Sequence, residues 1–323
     1  MGLLKAGARK PLIATRAVPA LLRSATRRSI LAELSPSPVT LHSRRTFLAT
    51  IGVAALGIAS GTAEAAGTAL AQRRKLKKVG LQLYTVRDLM KADLPGTLRK
   101  VAAAGYKEVE FAGYFGRTPA QIKELLKKNG LTSPSSHIGL DILEKDSVRA
   151  FADAKAIGHQ WVVVPWLPEE RRRTADDWTA IVTLLNQLGP QAKAAGLRLA
   201  YHNHDFELKP VGGLTPYDMM LTETDPALVD FEMDLYWVIF GGGDPLDYFN
   251  RFPKRFPLVH VKDSAGPPDN KMVDVGKGKI DFRAIFAQSD KAGIKHYFVE
   301  HDQPADPLAT IRNSARYLTT LRY

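Results

Sequence analysis

The chain has 323 residues, a formal net charge of +12 and no cysteine. Without cysteine, the chain has no disulfide scaffold, thiolate metal site or catalytic thiol, so any metal must bind histidine, carboxylate, amide or water ligands. Nine of the 45 basic residues and two of the 33 acidic residues precede residue 72, which leaves a net charge of +5 for residues 72–323. The basic clusters left at 75–78 and 171–173 contain no aromatic residues, which favours a solvated surface over nucleic-acid binding.

The N-terminal part of the sequence has the composition of an export signal. Arg44 and Arg45 precede Phe47 and Leu48, and an uncharged Ala- and Gly-rich run follows over residues 49–63. Small-residue cleavage candidates lie at 63–65 and 69–71, and the paired arginines are typical of the twin-arginine (Tat) route. We therefore predict that residues 1–71 are a signal with an extended basic region and that the protein is periplasmic or secreted. The alternative is a retained membrane anchor, but the apolar run is shorter than the roughly 20 residues that span a bilayer, and we expect no stable membrane insertion after cleavage.

Residues 72–323 show eight repeats of a short apolar run followed, in most cases, by a helical pattern. The apolar runs lie at 79–84, 108–111, 132–137, 161–165, 197–202, 229–234, 258–262 and 297–300. Continuous apolar runs are typical of strands that are buried on both faces of a parallel sheet. Eight strand–helix units in about 250 residues predict a closed (β/α)8 (TIM) barrel. An open doubly wound sheet is the alternative, but no glycine-rich phosphate loop follows the first run.

Most of the predicted helices end at a glycine. Helical patterns at 94–104, 119–129, 146–157, 174–195 and 281–292 are each followed by glycine, and the last pattern covers 306–321. Thr118, Pro119 and Gln121 have the order of a capped helix start. The patterns after the fifth and sixth runs are less regular.

Residues with metal-ligand side chains follow the last four predicted strands. Five of the eight histidines lie at or just after a strand end: His137, His202, His204, His260 and His301. Asp234 and Glu300 end the sixth and eighth runs. The carboxyl ends of barrel strands meet at one mouth, so these side chains converge and predict a mixed nitrogen–oxygen metal site.

These strand ends, in this order, resemble the xylose isomerase-like TIM barrels of the sugar phosphate isomerase/epimerase superfamily, the AP endonuclease family 2 type. The stretches 80–87, 105–110, 242–245 and 275–282 carry the same resemblance. The resemblance implies one divalent ion (Mn, Co, Fe, Ni or Zn) bound by Asp234, His260 and Glu300. The fourth ligand, on strand five, is usually glutamate in the family's epimerases, and here the matching residue is His202.

From this site we expect a metal-dependent isomerase or epimerase that removes a proton next to the carbonyl of a keto-sugar or related polyol. Glu300 is the first candidate for the base, and His204 and His137 are the alternatives. Lys262 can place a positive charge near an oxyanion. Tyr84, Glu110 and Trp237 are candidates for binding the substrate.

Other functions remain open at this point. Because only one glutamate of the epimerase pair is retained, a lyase or hydratase that acts on 3-keto-glycosides by β-elimination is an alternative. A non-catalytic sugar-binding barrel is a second alternative. Endonuclease IV-like DNA repair is disfavoured, because it uses three zinc ions with more ligands than this barrel offers. We expect a small sugar as the partner and no nucleic acid, and a homo-oligomer is left open.

Overall fold

The computed structural model describes residues 74–323, so the predicted signal in residues 1–71 lies outside the described residues. Eight parallel strands form a closed barrel in the order β1-β10-β7-β6-β5-β4-β3-β2, which confirms the predicted fold. The barrel strands are β1 (Gly80–Gln82), β2 (Glu108–Phe111), β3 (Thr132–His137), β4 (Trp161–Val164), β5 (Arg198–His202), β6 (Val229–Asp234), β7 (Leu258–Val261) and β10 (His296–Val299).

The helices cover the outside of the barrel between the strands. They are α1 (Arg87–Ala103), α2 (Pro119–Lys128), α3 (Leu140–Ile157), α4 (Ala175–Ala194), α5 (Pro216–Glu223), α6 (Leu235–Phe240), α7 (Pro245–Arg251), α8 (Phe282–Ala287), α9 (Ser289–Ala292) and α10 (Pro307–Thr320). The predicted capped start of α2 is present, because Thr118 and Gln121 form a reciprocal capping box. Gly158 ends α3 in the left-handed conformation that glycine adopts without steric cost.

Three helices differ from the sequence pattern in their bounds. α1 begins at Arg87, seven residues before the predicted start, because two helical segments continue across a non-helical Asp93. α3 begins at Leu140 in the same way, with the break at Asp146. The single helix predicted over 281–292 is two short helices, α8 and α9.

A short hairpin follows β7 at the upper end of the barrel. β8 (Asp263–Ser264) and β9 (Met272–Val273) pair antiparallel. The Asp263 carboxylate accepts backbone hydrogen bonds from Gly276 at 2.8 Å, Gly278 at 2.9 Å and Ile280 at 3.3 Å. One side chain thus holds the loop that leads from the hairpin to α8.

The barrel interior is layered, because alternate residues of each strand point inward. At the amino ends, Glu108 contacts Lys78 and His296, and Asp230 contacts Trp161 and Arg198. Above them lies an apolar layer, and above that layer the interior is polar again. The apolar layer consists of Trp161, Val163, Ala200, Leu258 and Phe298. Among residues 74–323, no helix has the length and hydropathy needed to span a membrane.

Candidate active site

Strand register brings four potential metal ligands together at the carboxyl end of the barrel. Asp234 on β6 is opposite His260 on β7, and His202 is the last residue of β5. Glu300 directly follows β10. One ligand atom from each of His202, Asp234, His260 and Glu300 lies within 4.8 Å of the others, and all four residues are buried. We call these four residues the metal-ligand cluster.

The donor set fits a divalent ion. Ligand atoms at 2.0–2.2 Å from one ion are separated by at most about 4.4 Å, so this cluster needs only small side-chain movements to close on an ion. The imidazole Nε2 of His202 is 3.8 Å from Oδ2 of Asp234. Oδ2 of Asp234 is buried and makes no hydrogen bond within residues 74–323, although the Lys262 ammonium lies 3.0 Å away. Lys262 therefore balances part of this charge, and a bound divalent ion would supply a second partner for the buried oxygen.

Lys262 places a positive charge beside this cluster. Its Nζ lies 3.0 Å from Asp234 Oδ2, 2.8 Å from Glu300 Oε2 and 2.8 Å from Asp302 Oδ1. Burial alone would lower the pKa of Lys262, but the charges of Asp234, Glu300 and Asp302 raise it well above the ordinary value. Burial would raise the pKa of Glu300, but Lys262 and His260 hold it well below its usual range. The lysine is therefore an ammonium ion at neutral pH.

A second layer of carboxylates lies directly beneath the metal-ligand cluster. Nδ1 of His260 is 2.8 Å from Glu300, while Nε2 on its other side is 2.7 Å from Glu110 and 3.1 Å from Glu232. Glu110 also accepts a hydrogen bond from Gln82 at 2.7 Å. A carboxylate that accepts from the second nitrogen of a ligating imidazole fixes its tautomer and orientation. Glu110 and Glu232 are positioned to do this for His260.

His137 joins the same layer from β3. Its Nε2 lies 2.7 Å from Glu232 and 3.2 Å from Glu110. Burial would lower the pKa of His137, but the two carboxylates raise it to about 9. Burial would raise the pKa of Glu232, yet His260 and His137 lower it to about 2. His137, His202, Glu232 and His260 form a second ligand-type group, but it shares His202 and His260 with the metal-ligand cluster.

A cavity of about 740 Å³ opens above the cluster. Its lining includes His202, Glu300 and Lys262, and also His137 and His204. His204 Nδ1 is buried and makes no hydrogen bond within the described chain. Burial and the Lys262 charge lower the pKa of His204 to about 3, so the ring is neutral. The remaining lining residues are Tyr84, Arg87, Ala112, Gly113, Gly139, Ile142, Pro165, Trp166, Asp302 and Gln303.

The structure places the predicted site residues at different depths. Tyr84 lines the cavity and is 42% exposed, so it does not pack inside the barrel. Glu110 is fully buried under His260 and is not among the residues that line the cavity. Trp237 is not among the lining residues either. The centroid of its ring lies 5.7 Å from the centroid of the His204 ring and 5.6 Å from Lys262 Nζ. The other predicted residues, His137, His202, His204, Asp234, His260, Lys262 and Glu300, lie within or directly around the metal-ligand cluster.

Four residues of this region were not predicted from the sequence. Glu232 and Asp302 lie two residues from Asp234 and Glu300, and this period-two spacing could have revealed Glu232, which precedes Asp234 on β6. Glu207 is fully buried, accepts from Tyr201 Oη at 2.7 Å and from the His204 amide at 2.8 Å, and burial raises its pKa to about 8. Trp166 follows β4 and is 49% exposed at the cavity. No sequence pattern marks Glu207 or Trp166.

The fold and this site define a class of protein. The family described as "Xylose isomerase-like TIM barrel" matches residues 98–321. The chain belongs to this family, and it is an enzyme of the isomerase or lyase class.

Individual relatives come from both classes. An inosose dehydratase of Lacticaseibacillus casei is 25% identical over 259 residues, which cover 68% of this chain and 86% of the relative. A sugar phosphate isomerase/epimerase of Parabacteroides distasonis has a crystal structure that superposes with a TM-score of 0.67 at 30% identity, covering 76% of this chain and 98% of that one. The IOLI protein, solved with a zinc atom, has a TM-score of 0.59 at 14% identity and covers 74% and 95% of the two chains. At that identity, the IOLI likeness concerns the fold alone.

Proposed function

We propose that this protein is a metal-dependent lyase that eliminates a group β to the carbonyl of a keto-sugar or keto-polyol. The observation that carries the proposal is that two residues of the metal-ligand cluster, His202 and Glu300, line one cavity together with Lys262 and His204. The four ligand-type side chains of the cluster, with ligand atoms within 4.8 Å of one another, support a divalent ion at this mouth. A divalent ion bound by the cluster would polarise the substrate carbonyl and stabilise the negative charge that develops on its oxygen.

Elimination is favoured over the isomerisation that the sequence first predicted. The inosose dehydratase relatives support a reaction in which a leaving group departs from a keto-polyol. The matching strand-five residue is His202, so this chain lacks one of the two glutamates of the family's epimerases. Proton transfer to both faces of a carbon calls for a symmetric pair of bases, whereas elimination requires one base and one acid of different types. The residues around this cavity match the second requirement.

Each candidate residue has a distinct position for this chemistry. His204 lines the cavity with a neutral ring. Its Nδ1 is buried without a hydrogen-bond partner among the described residues, so Nε2 is the atom that would remove the proton next to the carbonyl. The Lys262 ammonium, held by Asp234 and Glu300, adds positive charge beside the developing oxyanion. His137 also lines the cavity, and the carboxylates of Glu110 and Glu232 raise its pKa to about 9, so it can donate a proton to the departing oxygen. Glu300 remains the alternative base, although its Oε2 already contacts both His260 Nδ1 and Lys262 Nζ at 2.8 Å.

Two variants test the proposal and separate the two candidate bases. His204 lies outside the metal-ligand cluster, so we expect H204N to retain bound metal and to lose at least about 100-fold in turnover, the usual contribution of a general base. E300Q should lose metal and turnover together, because it removes a ligand charge. Metal analysis and steady-state kinetics on inosose measure both effects. If H204N keeps near wild-type turnover, His204 is not the base, and if wild-type protein neither binds metal nor converts a keto-polyol, the proposed function is wrong.

We also propose that the protein is exported by the twin-arginine route, on the strength of Arg44, Arg45 and the apolar run that follows them. Replacing both arginines by lysine should keep the protein in the cytoplasm, because the route requires the arginine pair. The matched control is the same replacement at Arg27 and Arg28, which should leave export unchanged. Cell fractionation measures the result, and export of the R44K/R45K variant at the wild-type level would contradict the proposal.

A further inference from the structure

One half of the barrel mouth carries the metal-ligand cluster, and the other half carries three exposed hydrophobic side chains together with Arg87 and His137. The metal-ligand cluster and Lys262 come from β5, β6, β7 and β10 or the residues that follow them, and these four strands are consecutive around the barrel. The segments that follow β1, β3 and β4 on the other half contribute Tyr84, Ile142 and Trp166 to the cavity. A substrate whose carbonyl lies at the cluster reaches these three side chains only if it is larger than one sugar ring. We call them the apolar rim.

The apolar rim is exposed, and its side chains do not complete the core. Tyr84, Ile142 and Trp166 are 42%, 51% and 49% exposed. Within residues 74–323, seven large hydrophobic side chains are exposed to this degree, and three of them line this one cavity. Single exposed hydrophobic residues need no explanation, but a group of them inside a concave site is typical of a surface that binds a ligand.

Arg87 holds the Tyr84 side chain of the rim in place. The guanidinium of Arg87 lies 4.2 Å from the centroid of the Tyr84 ring and donates a hydrogen bond to the Tyr84 carbonyl at 2.9 Å. Trp166 follows Pro165, whose ring restricts the backbone at the end of β4. A rigid aromatic surface loses little conformational entropy when it binds a planar or cyclic group.

The size of the cavity indicates what this half binds. At about 740 Å³, it lies within the range of about 300–1,000 Å³ that accommodates drug-sized ligands, and a single sugar ring at the metal-ligand cluster leaves the rim without a partner. We propose that the apolar rim is a second subsite that binds the leaving group, and that this leaving group is an alcohol whose ring has an apolar face. The substrate is then a keto-glycoside. This inference rests on the proposed lyase function.

The chemistry balances without a further reactant. The C–H bond next to the ketone breaks, the C–O bond to the ring-bearing group breaks, and a carbon–carbon double bond forms between the two carbons. The proton ends on the departing oxygen, so the products are an unsaturated keto-sugar and the ring-bearing alcohol. The rim binds the part of the substrate that leaves, which makes Trp166 a determinant of leaving-group specificity.

Full-chain protein loaded with Mn²⁺ tests the subsite with substrates that differ only in the leaving group. Benzyl and methyl 3-keto-β-glucosides release alcohols of similar acidity, so a difference in kcat/KM reports binding of the ring. We expect a preference for the benzyl substrate of about 10-fold, the size of one good aromatic contact. W166A should lower kcat/KM for the benzyl substrate more than for the methyl substrate and so remove that preference. L214A, which truncates an exposed leucine outside the cavity lining, is the matched control and should leave the preference intact.

Two further arms complete the experiment. 3-Keto-cellobiose carries a sugar ring in place of the aryl ring, and a preference for either ring that depends on Trp166 supports the subsite. If the methyl glycoside reacts but W166A affects all substrates equally, the subsite is wrong and the lyase function stands. If no substrate reacts, the lyase function fails. In that case, calorimetric titration with unreactive benzyl β-glucoside tests the subsite directly. We expect W166A to weaken binding of this ligand by at least about 5-fold, and a smaller effect would overturn the subsite.

Discussion

Lys262 is a buried ammonium ion surrounded by carboxylates. It is 1% exposed and contacts Asp234, Glu300 and Asp302 at 2.8–3.0 Å. The arrangement is stable only because the charges compensate one another, since a buried charge without a partner is strongly unfavourable. The same arrangement keeps the lysine pointed at the place where we propose that substrate oxyanion charge develops.

Removing this charge should destabilise the protein. We expect K262M to lower the free energy of unfolding by about 3–5 kcal/mol in chelator-treated protein, because it leaves buried carboxylates unpaired. K209M, which breaks an exposed pair with Asp205, is the control and should change stability by less than about 1 kcal/mol. Urea unfolding measures both variants. Equal stability of K262M and wild type would show that the carboxylates do not need the ammonium ion.

His159 gives the fold a pH dependence that is separate from the active site. It is buried, its Nδ1 lies 2.8 Å from the Ser133 carbonyl and its Nε2 lies 3.1 Å from Tyr114 Oη. Burial lowers its pKa to about 4, so below pH 6.5 the unfolded chain binds a proton that the folded chain does not. The stability that His159 contributes is therefore lost as the pH falls from about 6.5 to 4.

We expect wild-type protein to lose up to about 3 kcal/mol more than H159Q over this pH range, from the difference between the two pKa values. Unfolding free energies measured at pH 7, 5.5 and 4.5 for both proteins give the two slopes. Because other groups titrate in both proteins alike, only the difference between the slopes is informative. Parallel slopes would contradict a neutral buried His159.

At the scale of elements, the loop between β9 and α8 depends on Asp263. Its carboxylate accepts from the amides of Ser264, Gly276, Gly278 and Ile280. Gly278 approaches Asp263 so closely that an added Cβ would collide with the carboxylate and with the Ser264 carbonyl. By accepting from four backbone amides, Asp263 fixes the path of the chain between the hairpin and the helix.

We expect D263A to destabilise the protein by at least about 2 kcal/mol, because it removes the acceptor of several buried or half-buried amides. G278A should have a similar effect, since it displaces the same carboxylate. Hydrogen exchange of the 274–280 amides should rise in both variants. Unchanged exchange in this loop would show that Asp263 is not what holds it.

The elements of the barrel were predictable to different extents. Strand positions followed from apolar runs, and helix ends followed from glycines such as Gly158 and Gly293, both of which have positive φ angles. The early starts of α1 and α3 were not predictable, because each helix continues across one non-helical residue. Tertiary packing holds such breaks together, and a local pattern does not contain that information.

Parts of the site followed from the sequence, and parts required the three-dimensional register. The strand-end rule brought together Asp234, His260 and Glu300. The contacts of Glu110 with His260, 150 residues away, depend on how β2 faces β7 across the barrel. The exposure of Trp166 depends on the path of the chain after β4, for which no local pattern exists. Sequence reasoning thus identifies the ligands of such a barrel better than the residues that support them or bind the substrate.

At the scale of the whole molecule, the two ends of the barrel have different roles, the amino end in stability and the carboxyl end in the proposed function. The amino end is closed by charged pairs around Glu108 and Asp230, and the apolar layer around Phe298 separates them from the cluster. Polar groups at the carboxyl end are therefore free to serve a ligand while the lower layers maintain the fold. The cavity above them joins the metal-ligand cluster to the apolar rim, and His137 of β3 lines it as well.

The most direct test of the account is the mass of the product. Full-chain protein loaded with Mn²⁺ is incubated with an inosose and with methyl 3-keto-β-glucoside, and the products are analysed by mass spectrometry. Elimination predicts products that are lighter by one molecule of water or methanol, and no conversion after chelation. A metal-dependent product of unchanged mass would show that the enzyme is an isomerase or epimerase and would contradict the account.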